Sequence, residues 1–122
     1  MARILLIEDE APIRANLRRF LSLEGYQVVE AANGAEGLAA VAAEHPDLIL
    51  CDVMMPELDG FSLLGRLRSD PATAAIPFVF VTASAEKGDL ERGRELGADE
   101  YVTKPFNLPE LLALVKRRLG NR

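Results

Sequence analysis

The sequence predicts a single α/β domain, a doubly wound, five-stranded parallel sheet of order 2-1-3-4-5 with five helices over its two faces. Two observations lead there. Short apolar runs at residues 4–7, 28–31, 48–51, 78–81 and, more weakly, 101–102 are rich in Ile, Val, Leu and Phe without polar alternation. Strands buried on both faces have that character. After each run comes a segment with helical spacing, so βα units follow one another with right-handed crossovers. Of the two common doubly wound orders, 2-1-3-4-5 suits five units best, and 122 residues make one domain, 1–122.

The first helical segment carries Ile13, Leu17, Phe20 and Leu21 at i, i+4, i+7 and i+8, and Gly25 stops it. The second opens on Asn33 with Glu36 three residues later, an N-cap and a reciprocal acid. The third begins near Asp59-Gly60 and presents Phe61, Leu64 and Leu67. The fourth runs from about Glu86 to Leu96 and ends at Gly97. The last starts at Asn107, with Pro109 in its first turn and Glu110 at N3, and carries Leu108, Leu111, Leu112, Val115 and Leu119. Residues 70–75 read as a polar, Pro-containing loop within the domain.

Composition excludes several roles. Nineteen acids against fourteen Lys and Arg leave a net charge of −5, which disfavours direct nucleic-acid binding. No apolar stretch approaches the length of a membrane span. Met1-Ala2-Arg3 leads into a strand and not a signal-peptide pattern, so a cytoplasmic location is expected. Cys51 stands alone inside an apolar run and reads as a buried structural thiol. One histidine, His45, and no Cys–His spacing leave a zinc site without support.

The chemistry lies at the strand ends, where doubly wound sheets bind ligands. The first strand is followed by Glu8, Asp9 and Glu10; the third ends at Asp52, the fourth at Thr82, and the fifth leads into Lys104-Pro105. Carboxylates gathered in one crevice repel, by about 4 kcal/mol for a pair near 4 Å at an effective dielectric near 20. Such a cluster needs a cation, and all-oxygen ligation points to Mg²⁺, for which Mn²⁺ can substitute. Lys104 adds a fixed positive charge and Thr82 a hydroxyl donor, the groups needed to orient a phosphoryl group moving onto a carboxylate. An ionised Asp is already a nucleophile, so no general base is required.

With Ile7-Glu8-Asp9-Glu10, the stretch from Asp52 to Gly60, Val81-Thr82-Ala83 and Lys104-Pro105-Phe106, the chain resembles a response-regulator receiver domain of two-component signalling, nearly end to end. The fold implied is the flavodoxin-like, CheY-like one. The resemblance implies that Asp52 is the phosphoacceptor, Asp9 a direct Mg²⁺ ligand, Glu8 a ligand mostly through water, and Met54 a ligand through its backbone carbonyl. It implies that Thr82 and Lys104 hold phosphoryl oxygens, with the Ala83 N–H beside them, and that Lys104-Pro105 is a cis peptide. Tyr101 matches the family's aromatic switch, turning inward as Thr82 moves. Met54 and Ser84 occupy positions that tune hydrolysis, and a bulky Met54 implies a slowly decaying aspartyl phosphate.

The implied partners are a sensor histidine kinase or a histidine phosphotransfer protein, with an effector the residues do not identify. The output face would comprise the fourth helix, fifth strand and fifth helix, which could also carry a phosphorylation-linked dimer. Ile13, Arg14 and Leu17 are candidate kinase-docking residues, although Ile13 and Leu17 also belong to the apolar stripe. The role implied is a switch and not a turnover enzyme. An FMN carrier would need a phosphate-cradling loop where this chain is acidic, and an Asp-nucleophile hydrolase would want an acid where Met54 stands. A phosphorylation-independent interaction module on the same fold remains the alternative, but it would be expected to lack an acid, the Thr or the Lys.

Overall fold

A computed structural model describes residues 1–120. The chain alternates strand and helix throughout: β1 Arg3–Ile7, α1 Ala11–Leu23, β2 Gln27–Ala31, α2 Gly34–Glu44, β3 Leu48–Cys51, α3 Gly60–Ser69, β4 Phe78–Thr82, α4 Lys87–Leu96, β5 Glu100–Thr103 and α5 Leu108–Leu119. All neighbouring strands are parallel, in the order β2-β1-β3-β4-β5. This is the predicted sheet, with β1 and β3 adjacent at the point where the winding reverses.

Because successive side chains of a strand point to opposite faces, the sheet carries two cores. Leu5, Ile7, Ile49, Cys51, Phe78 and Phe80 face α2 and α3. Ile4, Leu6, Leu48, Leu50, Val79 and Val81 face α1 and α5. The central strands β1, β3 and β4 are buried almost throughout. The two outer strands depart from the expected double burial: Gln27 and Glu30 of β2 are exposed, and β5 is half-buried along its length. An edge strand has one neighbour, so its other side stays open to solvent.

Three helix starts follow local chemistry. The side chains of Asn33, Asp59 and Asn107 accept from the N–H groups of Glu36, Ser62 and Glu110 at 2.8, 2.8 and 2.7 Å. Glu36 reaches back one residue further than a capping box requires, accepting from the Ala32 N–H at 3.0 Å. Glu86 precedes α4 as its N-cap but makes no side-chain capping bond. On α5 Leu111, Val115 and Leu119 of the expected stripe are buried, but Leu114 joins them, while Leu108 in the first turn is 39% exposed and Leu112 is only half-buried. Among the described residues, no helix is long and apolar enough to cross a membrane.

Candidate functional site

The sheet ladder continues one residue past several strands, and that extension builds the site. The Glu8 N–H donates to the Ala31 carbonyl at 3.0 Å, Asp52 to Ile7 at 3.0 Å, and Lys104 to Thr82 at 2.8 Å. Glu8, Asp52, Thr82 and Lys104 thereby stand side by side at the carboxyl edge, in the order of their strands. Glu8 and Asp52 are buried at 2% and 8% exposure, Thr82 is fully buried, and Asp9 is exposed.

Each Asp52 oxygen has its own partner. The Thr82 hydroxyl donates to Oδ1 at 2.6 Å, with the Met54 N–H at 3.3 Å. Lys104 Nζ donates to Oδ2 at 3.2 Å and, more closely, to Glu8 Oε1 at 2.6 Å. The second Glu8 oxygen accepts from the Glu10 N–H at 3.2 Å. Carboxylate oxygens of Glu8, Asp9 and Asp52 lie within 4.8 Å of one another. At that separation, two unit charges repel by roughly 3 kcal/mol at an effective dielectric near 20. Three carboxylates and one ammonium leave a formal charge of −2, which a divalent cation would balance.

The titration tendencies agree with a crowded acid cluster. Burial pushes the Glu8 carboxyl above its usual range, as does Asp52, against the Lys104 and Glu10 hydrogen bonds. Burial works against the Lys104 ammonium, but the Glu8 hydrogen bond and the charges of Asp52 and Glu8 overturn it and raise its pKa. Cys51 is a buried thiol held well above its ordinary value by burial and by the negative charges of Asp52, Glu8 and Asp59. It donates to the Asp52 carbonyl at 3.0 Å and is a packing group.

Met54 projects its side chain outward, 68% exposed. Tyr101 lies one link beyond the cluster: its hydroxyl donates to the Ser84 carbonyl at 2.5 Å, and the Ser84 N–H donates to Thr82 Oγ1 at 3.2 Å. The Lys104–Pro105 peptide is cis. Of the three docking candidates, Leu17 is buried and Ile13 packs against the core beneath α1. Arg14 is half-buried and turned across the sheet edge, donating to the Glu8 carbonyl at 2.7 Å and pairing with Glu30 at 3.4 Å.

In the sequence Asp59-Gly60 marks only the start of the third helix. A Cβ on Gly60 would fall 2.3 Å from the Asp52 carbonyl and 3.0 Å from Val53 Cα, so α3 begins pressed against the backbone of Asp52. The visible signal was the glycine itself, which a cap does not require.

Comparison with known proteins bears on the whole arrangement. The model of the response regulator receiver domain family matches residues 4–116. The phosphate regulon transcriptional regulatory protein PhoB of Pseudomonas aeruginosa is 42% identical over 120 residues, covering 96% of this chain and 52% of that protein. The DNA-binding dual master transcriptional regulator RpaA of Synechocystis is 42% identical over 119 residues, covering 98% of this chain and 49% of that protein. This chain spans about half the length of the curated relatives it matches. Among solved structures, chemotaxis protein CheY4 of Vibrio cholerae superposes with a TM-score of 0.91 at 32% identity, covering 98% of this chain and 99% of that one. The receiver domain of a signal transduction histidine kinase from Syntrophus aciditrophicus gives 0.92 at 36% identity, covering 98% and 91%.

Proposed function

The chain belongs to the response regulator receiver domain family of two-component systems, and from that premise we propose that Asp52 is its phosphoacceptor. One observation carries the reading: the Asp52 carboxylate is held at one oxygen by a hydroxyl and at the other by an ammonium, inside an acid cluster. Glu8, Asp9, Asp52 and the Met54 carbonyl would hold Mg²⁺, and their oxygen donors fit that hard cation. When bound, the ion would neutralise charge on the transferring phosphoryl group.

In the proposed step, a carboxylate oxygen of Asp52 attacks the phosphorus of a phosphohistidine on a partner kinase or phosphotransfer protein. A P–O bond forms as the P–N bond breaks, and the electron pair leaves with the imidazole. Thr82 and Lys104 are already directed at the Asp52 carboxylate and would pass to phosphoryl oxygens, joined by the Ala83 N–H. The shift of Thr82 would favour the inward Tyr101 and alter the surface of α4, β5 and α5. That surface is the proposed contact for an effector and for a phosphorylation-linked dimer. DNA contact would belong to other parts of a longer protein, since this domain carries a net charge of −5. The reading is of a cytoplasmic switch and not a turnover enzyme.

Intact-mass measurement with acetyl phosphate and Mg²⁺ tests the assignment. The wild type should gain one phosphoryl group, and Asp52→Asn or chelation of Mg²⁺ should abolish the gain. Equal labelling of Asp52→Asn would place the site elsewhere. No labelling of the wild type would favour the interaction-module alternative.

A further inference from the structure

Beneath Thr82, on the same face of β4, lies Phe80. Its ring has an unusual position: it meets a glycine on each of two helices. A Cβ on Gly60, at the start of α3, would lie 2.8 Å from Phe80 Cε1 as well as 2.3 Å from the Asp52 carbonyl. A Cβ on Gly93, the one buried residue of α4, would lie 3.3 Å from Phe80 Cδ2 and Cε2 and 3.1 Å from Tyr101 Cδ2. The Tyr101 ring rests against Phe80 with centroids 5.5 Å apart, and Phe61 meets Phe80 edge-on at 5.3 Å. Arg92 of α4 closes the arrangement over the Phe61 ring at 4.5 Å.

We propose that Phe80, set between Gly60 and Gly93, is a positioning residue that seats the Tyr101 ring and couples the phosphoacceptor segment to α4. The physical basis is contact without slack. Neither glycine has a side chain that could close a gap, so a smaller residue at position 80 leaves space against Tyr101 and α4 on the side away from Phe61 and Phe78. A displacement of the Asp52–Gly60 backbone thus reaches Gly93 and Tyr101 through one rigid ring, in parallel with the hydroxyl path through Thr82 and Ser84. The link to signalling rests on the assignment of Asp52 proposed above. The effect on Tyr101 does not depend on it.

Tyr26 and Tyr101 are the two tyrosines and the chain has no tryptophan, so ring-labelled tyrosine NMR reads Tyr101 directly, with Tyr26→Phe to assign it. Spectra of the unphosphorylated wild type, Phe80→Leu and Gly93→Ala would be compared, each shown to be folded by circular dichroism. Phe80→Leu should move the Tyr101 ring signal and speed its flipping, and Gly93→Ala should displace the same signal from the other side. Phe78→Leu controls for general loosening of the core: Phe78 meets Phe80 edge-on at 4.9 Å from further down the strand, and its loss should leave Tyr101 nearly in place. Labelling of Asp52 by acetyl phosphate should stay within about twofold in Phe80→Leu, because Thr82 and Lys104 still position it. A folded Phe80→Leu with an unchanged Tyr101 signal overturns the proposal, as does an equal shift in Phe78→Leu. Failure of the wild type to take up phosphate overturns only the Asp52 assignment.

Discussion

Helices α3 and α4 are each ten residues long and lie against the same face of the sheet, yet they are anchored very differently. α3 buries Gly60, Phe61, Leu63, Leu64 and Leu67, and α4 buries Gly93 alone. Asp59 caps the start of α3, whereas α4 starts without a side-chain cap. The far end of α4 is held from α3, where Arg68 donates to the Gly97 carbonyl through Nε at 3.2 Å and a terminal nitrogen at 3.0 Å. α3 is therefore frame, fixed beside Asp52, and α4 is gripped at Gly93 and at its C-terminal end with its N-terminal half weakly held. A signalling switch needs both: one element that keeps the Asp52 carboxylate in place and one whose position costs little to change.

The contrast makes graded predictions. Leu64 is fully buried in α3, so Leu64→Ala should cost about 2–5 kcal/mol in urea unfolding. Leu90, half-buried on α4, should cost only about 1 kcal/mol as Leu90→Ala. Equal costs would break the comparison. The caps come next: Asp59→Ala should lose about 1 kcal/mol. Glu86→Ala, having no capping bond to lose, should stay within about 0.5 kcal/mol of wild type in the same assay.

A smaller gain is expected from glycines with open space. A Cβ on Gly65 of α3 or Gly88 of α4 would have nothing within 4 Å, so alanine at either should add about 0.5–1 kcal/mol of helix stability. Hydrogen exchange sharpens this result. Gly88→Ala should slow exchange of the α4 amides themselves, while Gly65→Ala should appear mainly in global stability, because α3 opens only with the whole domain.

The smallest effect at neutral pH concerns Tyr101. Burial, with the charges of Asp89 on α4 and of Asp52, pushes its phenol from 10.0 up to about 12. Its folded pKa is raised, so its contribution to stability is complete below the unfolded value near 10 and is lost as pH rises through about 12. Ultraviolet titration of Tyr26→Phe should show the late ionisation. Asp89→Asn should bring it earlier, and an unchanged curve would mean that α4 does not sit close enough to influence Tyr101.

The apolar runs announced β1, β3 and β4 because central strands need apolar residues on both faces. Their outer neighbours were less visible, since the exposed Gln27 and Glu30 interrupt the run of β2. Asn33, Asp59 and Asn107 were readable as caps because a cap bonds within three residues of itself. The choice of Leu114 over Leu108 on α5 was not, since it depends on how the helix is rotated against the sheet. Glu8, Asp9, Asp52, Thr82 and Lys104 could be collected at one edge from their places after strands and from the family resemblance. Their pairing could not be collected that way. Lys104 lies closer to Glu8 than to Asp52, and Arg14, a docking candidate by position, is bonded to the Glu8 carbonyl.

Local chemistry in the chain thus settled the element order, most caps and the residue types gathered at the sheet edge, because each rests on near neighbours or on a repeating period. Only the tertiary structure decided which oxygen meets which donor, why Gly60 must lack a side chain, and where Phe80 stands between it and Gly93. Most of those contacts join different elements of the fold, set by packing tolerances of a few tenths of an ångström that no sequence period encodes.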